Sequence, residues 1–318
     1  MARAIGANCR VHMQKEATYG TPPGGNWLRM PFLSVDLGAE QPLIDNNVIG
    51  LDGNRDAATP FLDTVTVAGR AVVPVDLIHI GHWLRLLLGP PTTTGTTPNF
   101  VHTFVSGAAT LPSNSVEIAY PDVPSYDVCT GVRADTLEID FSPTGPAIAT
   151  VTLMGQGSTR NATSSAGTPT SSALTLFNKA QGEIRRNTSV LGQVTAARVV
   201  YQNNMEMVRT IRADRKVEGV DPGIAQATGQ ITARFADTVL LTQAANNTAA
   251  EFEFEYRINA DRRLTVTLHQ VYLSVAKTPV DGPGGVEATF DFRAAFNTTA
   301  GRMMTVVLRN NEPGSLYA

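Results

Sequence analysis

The reactive groups that this sequence sets in a regular pattern are carboxylates. Residues 251–256 read EFEFEY, which puts Glu251, Glu253 and Glu255 on one face of a strand and Phe252, Phe254 and Tyr256 on the other. Glu138 and Asp140 in TLEIDF repeat the pattern, with Leu137 and Ile139 opposite. Two carboxylates can serve as acid and base in glycoside hydrolysis, but a glycosidase holds them on opposite sides of the sugar, not in one row. Such rows read as solvated faces. His79 and His82, three apart, have no further Cys or His at ligand spacing, so they are expected to pack and no metal is expected. Cys9 and Cys129 form neither a zinc pattern nor a disulfide framework. Gly282-Pro283-Gly284-Gly285 lies in a hairpin turn and not before a helix, so no helix dipole points at a phosphate. There is no G-x-S-x-G, P-loop, H-E-x-x-H or strand-bound G-x-G-x-x-G. Arg185-Arg186 and Arg262-Arg263 lack the interleaved aromatics of a nucleic-acid track. The Asn-x-Thr/Ser matches at Asn161, Asn187, Asn246 and Asn297 are expected by chance in a chain rich in Thr and Asn. No catalytic residue and no cofactor are expected.

The elements that carry these residues are mostly strands. TVTVAGRAVV (64–73), SVEIAY (115–120), DTLEIDF (135–141) and AIATVTLMG (147–155) are rich in Val, Ile and Thr and lie between Gly/Pro turns. VTAARVVYQ (194–202), QITARF (230–235), EFEFEYRI (251–258), LTVTLHQVYLSVA (264–276), VEATFDFRAAF (286–296) and MMTVVL (303–308) continue the pattern. Two stretches read as helix. One opens at Asp76, carries Asp76, His79, His82 and Arg85 along one edge, and stops at Gly89-Pro90-Pro91. The other opens at Asp237, turns Val239, Leu240, Leu241 and Ala244 inward, and ends near Asn246-Asn247.

The helices sit at matching places. A strand containing Gly69 leads to Asp76, and a strand containing Gly229 leads to Asp237. Further strands follow each helix, then a Pro/Gly turn (142–146 or 278–283), then an alternating strand, AIATVTL or VEATFDF. The shared order predicts an internal duplication. Small polar residues over 156–173 predict a flexible linker, giving a first domain over 1–157, a linker over 158–175 and a second domain over 176–318. The chain has 318 residues, enough to bury a core without disulfides or metals. Its net charge of −3 argues against tight binding to a nucleic-acid backbone. Residues 1–160 hold 9 basic and 14 acidic groups, against 16 and 14 in the remainder, which would suit the halves to lie side by side. No segment has the length of a signal peptide's apolar core, and the apolar run 75–89 is too short to span a bilayer, so a soluble protein is expected.

Several short motifs, in order, carry a family resemblance. Lys15-Glu16-Ala17-Thr18-Tyr19-Gly20-Thr21-Pro22 resembles the opening of many tail tube (major tail) proteins of long-tailed bacteriophages. FLSVDLGAE (32–40), the polar loop 42–60, the helix ending in Leu-Leu-Leu-Gly-Pro (86–90), His102-Thr103-Phe104 and VDGPGGVEATFDFRAAF (280–296) are similar to that family. The resemblance implies a mainly β fold, here two tandem β-sandwich tube domains, each with one flanking helix. It implies a structural virion protein whose rings stack around a channel for DNA, with no cofactor and no membrane. With the duplication it points to homotrimeric, pseudo-hexameric rings, the alternative being a homohexamer. Tape measure, terminator and baseplate proteins are the other implied partners, DNA is a passenger, and the implied place is the virion tail, assembled in host cytoplasm. Glu138, Asp140, Glu251, Glu253 and Glu255 are then candidates to line the channel. The N-terminal arm (1–25) and the loop 42–60 are expected to order only on assembly. The alternatives are a tail terminator or baseplate hub and, further off, a β-sandwich carbohydrate-active enzyme. A carbohydrate-binding module fits poorly with only Trp27 and Trp83.

Overall fold

A computed structural model describes residues 3–46, 56–280 and 282–318. In the first half the chain forms β1 (Arg10–Lys15), β2 (Leu28–Met30), β3 (Ser34–Val35), β4 (Gly38–Glu40), β5 (Leu43–Ile44), β6 (Phe61–Leu62) and β7 (Thr66–Pro74). Then come helix α1 (His79–Leu88), β8 (Thr92–Thr96), β9 (Asn99–Val105), β10 (Asn114–Tyr120), β11 (Ser125–Phe141), β12 (Ile148–Gly155) and β13 (Gly157–Asn161). The second half forms β14 (Gly182–Arg186), β15 (Ser189–Val190), β16 (Val194–Gln202), β17 (Glu206–Val208), β18 (Gly219–Asp221) and β19 (Gln226–Arg234). It ends with helix α2 (Val239–Ala245), β20 (Ala250–Asn259), β21 (Arg262–Leu273), β22 (Glu287–Ala294) and β23 (Met304–Asn310).

The duplication is visible in the pairing. In the first half β2–β1–β10–β11–β13 form one sheet and β3/β4–β7–β12–β11 another. In the second, β15–β14–β20–β21–β23 and β16–β19–β22–β21 repeat both orders. Even the register matches: Gly69 stands opposite Leu153, and Gly229 opposite Phe292. Both glycines sit where a neighbouring backbone crosses. A Cβ on Gly69 would meet Leu37 Cα at 2.5 Å, and one on Gly229 would meet the Arg198 carbonyl oxygen at 1.9 Å.

Each long strand β11 and β21 passes from one sheet of its sandwich to the other, and the core lies between the sheets. Phe141 packs on Phe254 and Tyr256, and Phe254 on Phe292, all buried. Helix α1 is buried nearly all round, as a helix enclosed by sheets must be. Asp76 accepts the amides of Ile78, His79 and Ile80 and so closes its start. In α2 Asp237 accepts from the Val239 amide; Leu240 and Ala244 face inward, while Val239, expected inward, is exposed.

The halves are tied twice more. Among the described residues the hairpin β8–β9 has no counterpart in the second half, and β9 pairs with β23. The Tyr317 ring, fully buried, lies edge-on to His82 and His102, donates its hydroxyl to Ile78 O at 2.9 Å and accepts from Asn310.

Two expectations need correction. Residues 10–15, read as part of an unordered arm, form β1, paired on both sides, because Val11 and Met13 alternate into the core. Beside it the buried Glu16 accepts from Ser113, Ser115 and the Gly131 amide. The stretch read as a flexible linker is ordered as well: Gly157–Asn161 pairs with β11, and Ser164 and the Ser165 amide donate to the buried Glu117. Burial opposes the charge on Glu117, but hydrogen bonds from His12, Ser164 and Ser165 outweigh it and hold its carboxyl below the usual range. Of the loop 42–60, residues 47–55 lie outside the described residues.

Replacing Tyr317 by Ala should lower the unfolding free energy by ~3–5 kcal/mol, the usual loss for a buried aromatic, measurable by chemical denaturation. A pH effect is expected at His82, whose Nε2 is buried without a partner. Burial, with smaller help from His79 and Arg85, pushes its pKa from 6.5 down to about 3. The unfolded chain takes up this proton near pH 6.5 and the folded one does not, so stability falls as pH drops through that window. A His82→Leu variant should show a shallower loss of Tm between pH 6.5 and 4 than the parent.

Candidate functional site

The structure disperses the residues that might have formed a catalytic centre. His79 Nδ1 lies 2.7 Å from Asp76 at the start of α1, and His82 packs on Tyr317. Cys9 and Cys129 are free, and burial pushes the Cys129 thiol up to about 11. Among the described residues no three His, Cys, Asp or Glu are grouped to hold a metal ion, and no helix is long and apolar enough to cross a membrane. The basic pairs are engaged with neighbouring polar groups. Arg185 meets Glu183, Glu253 and Glu255, Arg186 meets Gln243, Arg262 meets Asn99, and Arg263 meets Glu255. Gly282 and Gly284-Gly285 lie between β21 and β22, and Asp281 is outside the described residues.

The five candidate carboxylates separate into two groups. Phe252, Phe254 and Tyr256 of β20 point into the core, so Glu251, Glu253 and Glu255 stand on the far face of that sheet. Glu255 is only 1% exposed and lies among Arg185, Arg257 and Arg263, while Glu251 contacts His269 at 2.9 Å. Leu137, Ile139 and Phe141 of β11 point into the same core from the opposite sheet, so Glu138 and Asp140 stand on the opposite side of the sandwich. Glu138 pairs there with Arg198 of β16.

That second surface extends over both repeats. The C-terminal half of β11 pairs with β16 from Thr136 opposite Gln202 to Phe141 opposite Ala197, and this seam joins the repeats edge to edge. The result is one sheet in the order β3/β4–β7–β12–β11–β16–β19–β22–β21. Leu137 and Ile139 close over Tyr201 and Val199 on the core side of the seam, all buried. The other face is polar: Arg70, Arg198, Arg234 and Arg293 alternate with Glu138, Asp140, Glu287 and Asp291, among Thr150, Thr152, Thr228, Thr232 and Thr289. Arg198 meets Glu138, Arg234 approaches Glu287 at 3.9 Å, and Gln230 donates to Asp291. Asp36 and Glu40 of the β3/β4 edge, in register with Arg70 and Thr66, stand on the same face, so carboxylates outnumber these arginines six to four and the face is mildly acidic.

At each end this sheet stops at an edge that pairs with no other described strand. At one end are Ser34–Val35 and Gly38–Glu40, bonded only to β7. At the other, the chain continues past β21 as Ser274, Val275 and Ala276, with the Ser274 amide still bonded to Asp291 O. Val275 is 73% exposed, whereas Leu137, its counterpart in the first repeat, is buried in the seam.

Sequence reasoning missed the seam and the hairpin β17–β18 that follows it. The hairpin lies over the first repeat: Met205, Val220 and Met207 pack with Leu111 and Met154, and Arg133 donates to Val220 O. The available signal was the order of elements, since β16 and this hairpin stand where β3/β4 and the loop 42–60 stand in the first half.

No curated protein sequence matches the chain significantly. The family described as phage tail tube protein matches residues 6–294, nearly the whole chain. That match covers both repeats and agrees with a mainly β molecule. The chain belongs to the phage tail tube protein family and is a structural subunit of a phage tail tube.

Proposed function

We propose that three copies of this chain close into a ring of six repeats, with the polar face of the tandem sheet turned to a central channel, and that rings stack into a tube through which DNA passes. The observation that carries this reading is the seam between β11 and β16. One repeat already accepts the next by strand pairing, head to tail, and a head-to-tail contact that repeats by rotation closes a ring. The free ends then pair as the seam does. By the shared register, Glu40 falls opposite Ser274 of the next copy, Ala39 opposite Val275, Gly38 opposite Ala276, and Asp36 opposite Thr278. Neither end of the tandem sheet is then left open, and open edges of that kind invite aggregation.

Under this reading Glu138 and Asp140 border the channel, and Glu251, Glu253 and Glu255, on the other side of the sandwich, do not. The channel wall is mildly acidic, with Arg198 and Arg234 beside carboxylates. DNA phosphates then find few free cations from which to displace counterions, and the duplex slides. The same surfaces would serve a terminator or hub ring. Its copy number in the virion separates the two, since a tube subunit repeats along the whole tail.

Native mass measurement of isolated rings should give three chains; six chains around one lumen would overturn this stoichiometry. Val275→Glu should leave the subunit's stability within about 0.5 kcal/mol, because the site is exposed, and should abolish ring formation by burying a charge in the seam. Virions carrying Glu138→Lys and Asp140→Lys together should assemble tubes but eject DNA more slowly, with Glu251→Lys as the unaffected control. Unchanged ejection in the double variant would remove these two residues from the channel.

A further inference from the structure

We infer that the hairpin β5–β6 is a second clasp between copies of this chain, seated on Tyr272 and Arg293 of the neighbouring subunit. The inference rests on the ring reading for which copy is the neighbour. Its evidence is a contact already made within the chain.

The two hairpins are equivalent in place and register. Each follows directly on the strand beside its seam, β4 or β16, and precedes the glycine-bearing strand, β7 or β19. In the first, Leu43 pairs with Leu62 and Ile44 with Phe61; in the second, Glu206 pairs with Asp221. Counting from the seam strands, Leu43 corresponds to Met205, Ile44 to Glu206 and Phe61 to Asp221. The environments differ. Met205 and Val220 are buried against Leu111 and Met154 of the preceding repeat. Leu43, Phe61 and Leu62 are 65%, 54% and 44% exposed, and no described residue covers them. Four large apolar side chains on a two-stranded hairpin are too many to leave in water without a partner.

The receiving surface is fixed by the same equivalence. Leu153 corresponds to Phe292, so Met154 corresponds to Arg293; Ala134 opposite Leu153 corresponds to Leu273 opposite Phe292, so Arg133 corresponds to Tyr272. On the first repeat Arg133 and Met154 lie beneath β17–β18. On the second, Tyr272 and Arg293 line an open groove of about 630 Å³ beside the free edge at Ser274. The Tyr272 ring offers an apolar floor. Arg293 suits a hairpin flanked by Glu40, Asp45 and Asp63. The occupant is therefore a second copy of this chain, placed by the same head-to-tail step that places β17–β18.

Cross-linking tests this directly. In a Cys9→Ser background, Leu43→Cys with Arg293→Cys is treated, as unstacked rings and separately as stacked tubes, with a short bis-maleimide, and Met205→Cys with Met154→Cys serves as the calibrating pair within one chain. Ala39→Cys with Val275→Cys reports the strand seam separately. The clasp is supported if the Leu43–Arg293 pair gives covalent two- and three-chain species and nothing larger. It is overturned if the calibrating pair reacts within the chain and the Leu43–Arg293 pair gives no interchain product. It is overturned too if the ladder runs past three chains and appears only in stacked tubes, which would place the hairpin between rings. Failure of Ala39–Val275 alone would sink the strand seam and leave the clasp standing.

Discussion

The structure depends on what becomes of the unpaired edges of its β-strands. An open edge presents a row of N–H and C=O groups whose best partner is another strand. Inside the chain one such edge, on β11, is met by the edge of β16, and the two repeats become one sheet. Another is met by β9, which leaves the first repeat to extend the sheet of β21 and β23. The C-terminus seals this second junction: the Asn310 side-chain amide donates to Leu77 O and to the Tyr317 hydroxyl, which in turn donates to Ile78 O, so the last strand is fastened to the helix of the first repeat. The folded subunit is thus a pair of repeats that cannot separate without exposing backbone. The two ends of the tandem sheet are places where the same device is left unused.

Two sequence rows of the same kind come to opposite ends. Glu138/Asp140 and Glu251/Glu253/Glu255 both alternate with apolar residues, and in both the apolar side faces the core. What distinguishes them is the neighbouring strand. Beside β20 lie β14 and β21, which bring Arg185 and Arg263 into register with the carboxylates and enclose Glu255. Beside β11 lie β12 and β16, which bring threonines and a single arginine, Arg198. In one row Glu255 is closed into an ionic network, while Glu251 and Glu253 stay part-exposed as Glu138 and Asp140 do. Cross-strand neighbours, not the strand's own alternation, decide whether a charged face is spent on the fold or left for function.

Much of the architecture was legible because periodicity and punctuation are local. The alternation of AIATVTL and VEATFDF, the glycines at 69 and 229, and the aspartates at 76 and 237 mark equivalent strands and helix starts, and these recur in the same register. What was not legible depends on partners distant in sequence. Residues 10–15 hold too few apolar positions to announce a strand, and they are one because 28–30 and 114–119 flank them. Serines at 164 and 165 resemble those of any linker until Glu117 is seen beneath them. The seam itself pairs residues some sixty positions apart, and nothing in either strand alone names the other.

The seam within the chain and the seam proposed between chains differ in a way that suits their tasks. Leu137, Ile139, Tyr201 and Val199 are large and buried, and that contact forms as the chain folds, between strands tethered to each other. The corresponding positions at the free ends are Ala39, Leu37, Val275 and Lys277; Leu37 is already buried in the subunit's own core, so the same backbone pairing buries far less new apolar surface. A single seam of this kind holds weakly, so a misplaced subunit can leave. In the proposed ring the last copy would bind at both ends at once, the second contact being made at high effective concentration. Weak edges joined cooperatively in such a ring would correct errors while it is open and hold firmly once it is closed. A tube built from repeated rings requires both properties, and a subunit with two strongly adhesive edges would lack the first.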